Sequence, residues 1–178
     1  MVRRTEHLLD EILVLLAQDG NTRALERLAA RWRPRHYAHA RRVLGAEDGA
    51  ADAVQEAWLG ILKGLRRLRD PARFAAWSYA IVTRRCHDML RRRRRDLNGE
   101  PMTDPPDPST ADAGTSHDLR AAIANLSSQH RAVIGLYYLE GFRVAEISEA
   151  LGISEGTVKS RLYHARLTLR RHFLGDKT

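Results

Sequence analysis

Apolar residues recur along this chain every three or four positions, the spacing of one face of an α-helix, and no stretch keeps the strict alternation of a half-buried strand. The pattern predicts helices near residues 5–18, 22–44, 50–68 and 73–95, then 117–126, 128–139, 144–151 and 155–173. The dipeptides Asp19-Gly20 and Asp48-Gly49 separate helical patterns rather than strands. Pro34 carries no backbone N–H and is expected to kink or split the second helix. The expected fold class is all-α.

One stretch breaks the pattern. Residues 96–118 hold Pro101, Pro105, Pro106 and Pro108 among small polar residues. They offer too little apolar surface to offset the entropy of ordering, so they read as a flexible linker. Two small helical domains are thus expected, 1–95 and 119–178. Charge sharpens the division. The linker has six acids (Asp96, Glu100, Asp104, Asp107, Asp112, Asp118) and no Lys or Arg. The first domain carries 21 Lys and Arg against 11 Asp and Glu, and the second 9 against 5. Two basic lobes are therefore joined by an acidic tether.

The sharpest motif lies in the second lobe, between Val144 and Arg166. Ile147, Ala150 and Leu151 make the apolar face of a short helix. Gly152 follows where a tight turn needs positive φ, Ile153 points inward, and Ser154 is a good N-cap for the next helix. Small residues Ala145 and Ser148 fall where two crossing helices approach. This spacing is that of a helix-turn-helix. In its second helix Val158, Leu162, Ala165 and Leu169 share the core face. Lys159, Ser160, Tyr163 and His164 lie opposite, and with Thr157 they are candidates for contact with a DNA groove. Arg161 and Arg166 sit near the core boundary, suited to phosphates or to acids of the same chain. Leu126, Val133, Ile134, Leu136, Tyr137 and Leu139 would brace the motif, with Gly141 ending a helix.

In the first lobe, Val54, Ala57, Trp58, Ile61, Leu65 and Leu68 form one stripe of the helix from Ala50. Asp52, Gln55 and Glu56 lie on the other face. No His, Cys or third carboxylate stands near them at metal-ligand spacing, so a protein partner suits them better than catalysis. The helix from Arg73 is apolar on two sides, with Ala75, Tyr79, Val82, Cys86 and Met89 on one and Phe74, Trp77 and Ile81 on the other. It runs through Arg84 and Arg85 into Arg91-Arg92-Arg93-Arg94-Arg95. Aromatics beside dense arginine suit unstacked single-stranded bases over a phosphate track. For Phe74 and Trp77 taken singly, plain core packing is the stronger reading.

Bulk properties agree. The chain has 178 residues, a formal net charge of +8 and a pI near 10.3, which points to a polyanionic partner and to nucleic acid before membrane. Cys86 is the sole cysteine, so an intrachain disulfide and a cysteine-based zinc cluster are excluded. No apolar run reaches transmembrane length, and charges interrupt the N-terminal region where a signal peptide would need its apolar core. A cytoplasmic protein with no membrane partner, no metal and no cofactor is expected.

Taken in order, these stretches resemble the extracytoplasmic-function sigma factors of bacterial RNA polymerase. Asp52-Ala-Val-Gln-Glu-Ala-Trp58 is similar to the family's D-x-x-Q-E-x-aromatic segment. Phe74-Ala-Ala-Trp-Ser-Tyr-Ala-Ile81 runs into the arginines as the family's −10 helix does. Glu155-Gly-Thr-Val-Lys-Ser-Arg-Leu162, with Tyr137-Leu139-Glu140-Gly141 upstream, matches the family's helix-turn-helix. The resemblance covers about residues 22–95 and 119–173. It implies a promoter-specificity subunit with no enzymatic activity. Asp52, Gln55 and Glu56 would dock on the β′ clamp helices of core RNA polymerase, with a second attachment at the β flap. Arg69, Arg73, Phe74, Trp77, Arg84, Arg85, Arg91 and Arg92 would melt and read the −10 element. Thr157, Lys159, Ser160, Arg161, Tyr163, His164 and Arg166 would read the −35 element as duplex. The linker would thread the polymerase channel that later holds RNA, and an anti-sigma factor is an expected partner. One departure stands out: Arg84 lies four residues before Asp88, where the family often has Asn, so the base preference at −10 is open.

Two other functions remain open at this point. A stand-alone helix-turn-helix regulator would need neither the Asp52-Gln55-Glu56 face nor the acidic linker. A DNA-processing enzyme would need a nucleophile in the first lobe, where Tyr37, Ser78, Tyr79 and Cys86 are the available groups without an organised base.

Overall fold

The computed structural model describes residues 2–46, 48–96 and 115–174, and every element among them is helical. The first lobe holds α1 (Val2–Gln18), α2 (Thr22–Leu44) and α3 (Ala50–Leu65). A 3₁₀ turn over Pro71–Arg73 then leads into α4 (Phe74–Asp96). The second lobe holds α5 (Thr115–Ala124) and α6 (Ser128–Ile134), with a π-helical turn over Gly135–Leu139. α7 (Val144–Leu151) and α8 (Glu155–Leu174) complete it. Residues 97–114 of the expected acidic linker lie outside the described residues. Its last positions, from Thr115, are helical instead. Asp118 falls in the first turn of α5, where a carboxylate is favoured by the helix dipole.

Local chemistry sets the ends of these helices. The Asn21 side chain accepts from the Ala24 amide at 3.0 Å and starts α2. Gly45, at φ +76°, ends it by donating to the Arg41 carbonyl at 2.9 Å, a left-handed cap that a β-carbon would strain. The split expected at Pro34 does not occur: α2 runs unbroken through it. Trp32 before it and His36, His39 and Ala40 after it are all buried, so tertiary packing holds both halves in one helix despite the lost donor.

The first lobe packs α2, α3 and α4 around Leu28, Trp32, Trp58, Ile61, Tyr79 and Val82. The first helix joins this core. Leu13 and Val14 are buried, Asp10 accepts from Arg31 Nε at 2.8 Å, and Gln18 Nε2 donates to the Leu65 and Leu68 carbonyls at 2.9 and 2.7 Å. The Leu65 carbonyl closes α3, where a helix end needs just such an outside donor, and Leu68 lies in the turn after it. The two lobes touch. α4 packs along α7, α2 packs against α6, and buried residues of both lobes form one continuous apolar cluster.

Two histidines sit fully buried in the first lobe. His36 Nε2 lies 3.1 Å from Ser78 Oγ and His39 Nε2 lies 2.8 Å from Thr83 Oγ1. Burial, then the nearby Arg35 charge, pushes the His36 imidazole down to about 3. Burial, then Arg42, holds His39 well below its ordinary range. Both are neutral in the fold, whereas in the unfolded chain each takes up a proton near pH 6.5. The unfolded state therefore binds more protons as pH falls below that value, so their contribution is intact above it and lost beneath it. Lowering the pH from 7.5 to 5 is expected to cost about 2 kcal/mol per histidine, read from the urea midpoint. In the double variant His36→Gln/His39→Gln the pH dependence should flatten, even though packing is lost. A parent profile that stays level down to pH 5 would contradict this account.

Candidate functional site

On α3 the helical period puts Val54, Ala57, Trp58, Ile61 and Leu65 into the core and leaves Asp52, Gln55 and Glu56 exposed. The structure adds two residues to that face. Leu59 and Leu62, 54% and 45% exposed, fall four and seven positions after Gln55 and so share its side of the helix. The signal for them lay in the sequence: two leucines at helical spacing on an otherwise polar face. The outcome is an acidic patch beside an apolar stripe, on a rigid helix.

The helix that should meet single-stranded bases divides in two. Phe74, expected there as an aromatic contact, is a core residue at 1% exposure, its ring 5.4 Å from Trp32 in an edge-on contact. The apolar period of α4 turns it inward, so stacking on a base is excluded in this conformation. Trp77 is half-buried and lies over Gly64, where a β-carbon would stand 2.8 Å from its ring. Arg69, Arg73, Arg84, Arg91 and Arg92 are exposed, and Arg85 is partly so. Arg73 nevertheless has a partner, since its guanidinium lies 2.8 Å from Glu149 of α7. Arg91 pairs with Asp88. Arg93 donates to the Asp48 carbonyl and carboxylate at 2.9 and 3.0 Å, so part of the arginine run closes the loop before α3.

The helix-turn-helix forms as its spacing requires. α7 ends at Gly152, φ +63°, and the Ser148 hydroxyl donates to the Ile153 carbonyl at 2.5 Å. Ser154 Oγ accepts from the Thr157 amide at 3.1 Å and lies 2.9 Å from Thr157 Oγ1, starting α8. Thr157 is therefore partly committed to the cap. Ala145, expected at a close helix crossing, is exposed instead, because α7 turns Ile147 and Ala150 inward. Val158, Leu162 and Ala165 are buried. Lys159, Ser160, Tyr163 and His164 form an exposed row. Arg161 is half-buried. Arg166 Nε donates to Tyr138 Oη at 2.9 Å, and its guanidinium lies over the Tyr137 and Tyr138 rings at 5.6 and 5.8 Å. It ties α8 to the π-helical turn. His130 of α6 has its pKa lowered, first by burial and then by His164 and Arg161.

Of the four groups a DNA-processing enzyme could have used, Ser78, Tyr79 and Cys86 are buried and Tyr37 is exposed; burial pushes the Cys86 thiol up to about 12. Among the described residues no three His, Cys, Asp or Glu side chains cluster as metal ligands, and no helix is long and apolar enough to cross a membrane.

Comparison with known proteins decides the family. Residues 28–96 match the model for sigma-70 region 2, and residues 116–169 match that for sigma-70 region 4. The chain is 38% identical over 154 residues to the ECF RNA polymerase sigma factor SigL of Mycobacterium tuberculosis, spanning 82% of this chain and 83% of that one. It belongs to the extracytoplasmic-function sigma factors. SigM of the same organism is 31% identical over 154 residues, with 85% and 78% covered. SigE of Mycolicibacterium smegmatis is 33% identical over 145 residues, which span 76% of this chain but 56% of that longer relative. The fold is similar to a solved structure of CnrH in complex with the cytosolic domain of CnrY, with TM-score 0.69, 27% identity and 95% and 99% of the two chains covered. It is also similar to the sigma factor RpoE of Bartonella quintana, solved with the anti-sigma factor NepR, with TM-score 0.71, 23% identity and 86% and 98% covered. A stand-alone regulator is ruled out by the region 2 match in the first lobe. This sigma factor directs RNA polymerase to promoters.

Ser154 supplies a simple check on the helix-turn-helix of this sigma factor. Ser154→Ala removes the cap of α8 and should lower stability by about 1 kcal/mol, measured by urea denaturation followed by circular dichroism. No change would mean that water replaces the cap without cost.

Proposed function

We propose that this sigma factor docks on the β′ clamp helices of core polymerase through the exposed face of α3. The observation that carries this is the face itself: Asp52, Gln55 and Glu56 stand beside uncovered Leu59 and Leu62. A helical partner that brings basic and apolar side chains together would cover both parts. The second lobe adds an attachment at the β flap. Asp52, Gln55 and Glu56 supply charge complementarity and Leu59 and Leu62 the buried centre, as interfaces commonly divide those roles.

On the DNA side, α4 and the turn before it open and read the −10 element. Arg69, Arg73, Arg84, Arg85, Arg91 and Arg92 follow phosphates, and Trp77 is the aromatic able to reach an unstacked base after a small shift. Lys159, Ser160, Tyr163 and His164 of α8 read the −35 element in the major groove, the placement expected of a recognition helix. Arg161 reaches phosphate. Arg166, held by Tyr138, positions α8. An anti-sigma factor that covers the lobes regulates the protein. Support comes from the similar RpoE, which was solved with the anti-sigma factor NepR.

The docking face is tested by Gln55→Ala/Glu56→Ala and, separately, by Leu59→Ala/Leu62→Ala. Each pair should weaken binding to bacterial core polymerase at least tenfold while circular dichroism stays unchanged, because the substituted side chains are exposed. Parental affinity in both pairs would show that another surface docks. Lys159→Ala should reduce promoter use by about 1–3 kcal/mol at the −35 element if the ammonium reads a base edge. If only the salt dependence of binding changed, Lys159 would be a phosphate contact instead.

A further inference from the structure

The first helix meets the core on one side only. Leu13, Val14 and Ala17 of α1 are buried. Towards α2, Asp10 and Glu6 meet Arg31 and Arg35 at 2.8 and 3.9 Å. The opposite side of α1 has no cover. Leu8, Ile12, Leu15 and Leu16 are 41–56% exposed. Their helical spacing puts them in one stripe, about 12 Å long at the rise of an α-helix. A single exposed leucine is ordinary on a protein surface. Four together on one helix make a contiguous apolar patch, and such a patch marks a contact site. No residue assigned above to polymerase or to promoter DNA lies in it.

The rim of this stripe is acidic. From Glu6 to Asp19 the sequence has four acids (Glu6, Asp10, Glu11 and Asp19) and no Lys or Arg, in a chain whose net charge is +8. Arg35 and Arg31 take up Glu6 and Asp10. Glu11 follows Leu8 by three positions and precedes Leu15 by four, and Asp19 follows Leu15 by four. Both therefore border the stripe, and among the described residues no ion pair engages either of them. This charge decides what can cover the leucines. A second copy laid antiparallel about Ile12 would bring Glu11 against Glu11 and join two chains of like net charge. An anionic membrane asks for Lys and Arg beside the apolar face, where this helix has acids.

We infer that the outer face of α1 is a docking site for an amphipathic helix of a protein partner, one that carries an apolar row flanked by Lys or Arg. Leu8, Ile12, Leu15 and Leu16 supply the area that leaves water. Glu11 and Asp19 attract the partner and set its register, the division of roles usual when a helix lies against an apolar strip. The site is separate from the face of α3 read as the polymerase dock, and it holds whether or not that reading does. The partner is selected against the charge of the whole protein, so its basic flanks are a requirement of the site and not a general attraction.

The test is isothermal titration of the full chain with a synthetic amphipathic peptide of about four helical turns, leucine along one face and lysine on both flanks. Binding is expected, and it should weaken as salt screens the flanking charges. The same peptide with glutamate in place of lysine should bind about tenfold more weakly or worse. Leu8→Gln/Leu15→Gln should lower affinity for the lysine peptide about tenfold, and Glu11→Gln/Asp19→Ser should remove most of its salt dependence. The substituted side chains lie outside the core, so circular dichroism should not change. Leu8→Gln/Leu15→Gln should also keep parental affinity for core polymerase. Equal affinity for the two peptides, or parental binding in both α1 variants, would overturn the inference. So would loss of the peptide in Leu59→Ala/Leu62→Ala alone, which would put it on α3, and so would a drop in core affinity on Leu8→Gln/Leu15→Gln, which would make the stripe part of the polymerase interface. Two further results would replace the partner: a parent dimer in sedimentation that Leu8→Gln/Leu15→Gln dissolves, or parent binding to phosphatidylglycerol vesicles that this variant abolishes. Either would overturn the helical partner in favour of a second copy or a membrane.

Discussion

The Tyr79 ring is the contact on which the rest of the structure turns. It is fully buried on α4 and meets four other rings edge-on. Trp32, His36 and His39 of α2 stand 6.0, 5.1 and 5.0 Å away, and Phe142 of the second lobe 5.3 Å away. Edge-to-face pairs are favoured by the ring quadrupole and add to the gain from burial. Here they also set position. The same helix that Tyr79 anchors to α2 carries Trp77 and the exposed arginines outward. The same ring receives the residue that leads into α7. Burial, then the Glu140 charge, raises the Tyr79 phenol above its ordinary range, so no charge forms inside this cluster at physiological pH.

The helices were legible because apolar spacing is a local property. The helix of residues 144–151 came out with the ends read from the sequence, and the core stripe of α3 was right at Val54, Ala57, Trp58, Ile61 and Leu65. Pro34 does not split α2 because the loss of one donor is a local cost, while the packing of Trp32, His36 and His39 around it is tertiary. Phe74 illustrates the same limit. A helix apolar on two sides leaves undecided which aromatic is covered, and the ring of Trp32 settles it. The exposure of Asp52, Gln55 and Glu56 was readable from polarity. Leu59 and Leu62 were overlooked although their helical spacing on a polar face was in the sequence, because only a filled opposite face shows that they stay exposed.

Contacts between the lobes were the least legible part. Nothing in the periodicity of α6 marks Arg131 as a buried side chain, since arginine at a helix surface is ordinarily solvated. Its guanidinium donates to carbonyls at two helix ends, Val43 and Ala124, that are far apart in the chain. Nothing in the sequence marks Gly45 and Gly135 as the places where Arg131 and Arg42 lie against the backbone. The charge partition read from composition is visible in the fold as exposed basic residues on α2 and α4 of the first lobe and on α8 of the second.

The most direct measurement is run-off transcription with bacterial core polymerase on a fragment library from the source genome, with and without this protein. New, discrete start sites that share a −10 and a −35 element are expected only when the protein is present. Intact, folded protein that binds core polymerase yet yields no new start sites would contradict the account.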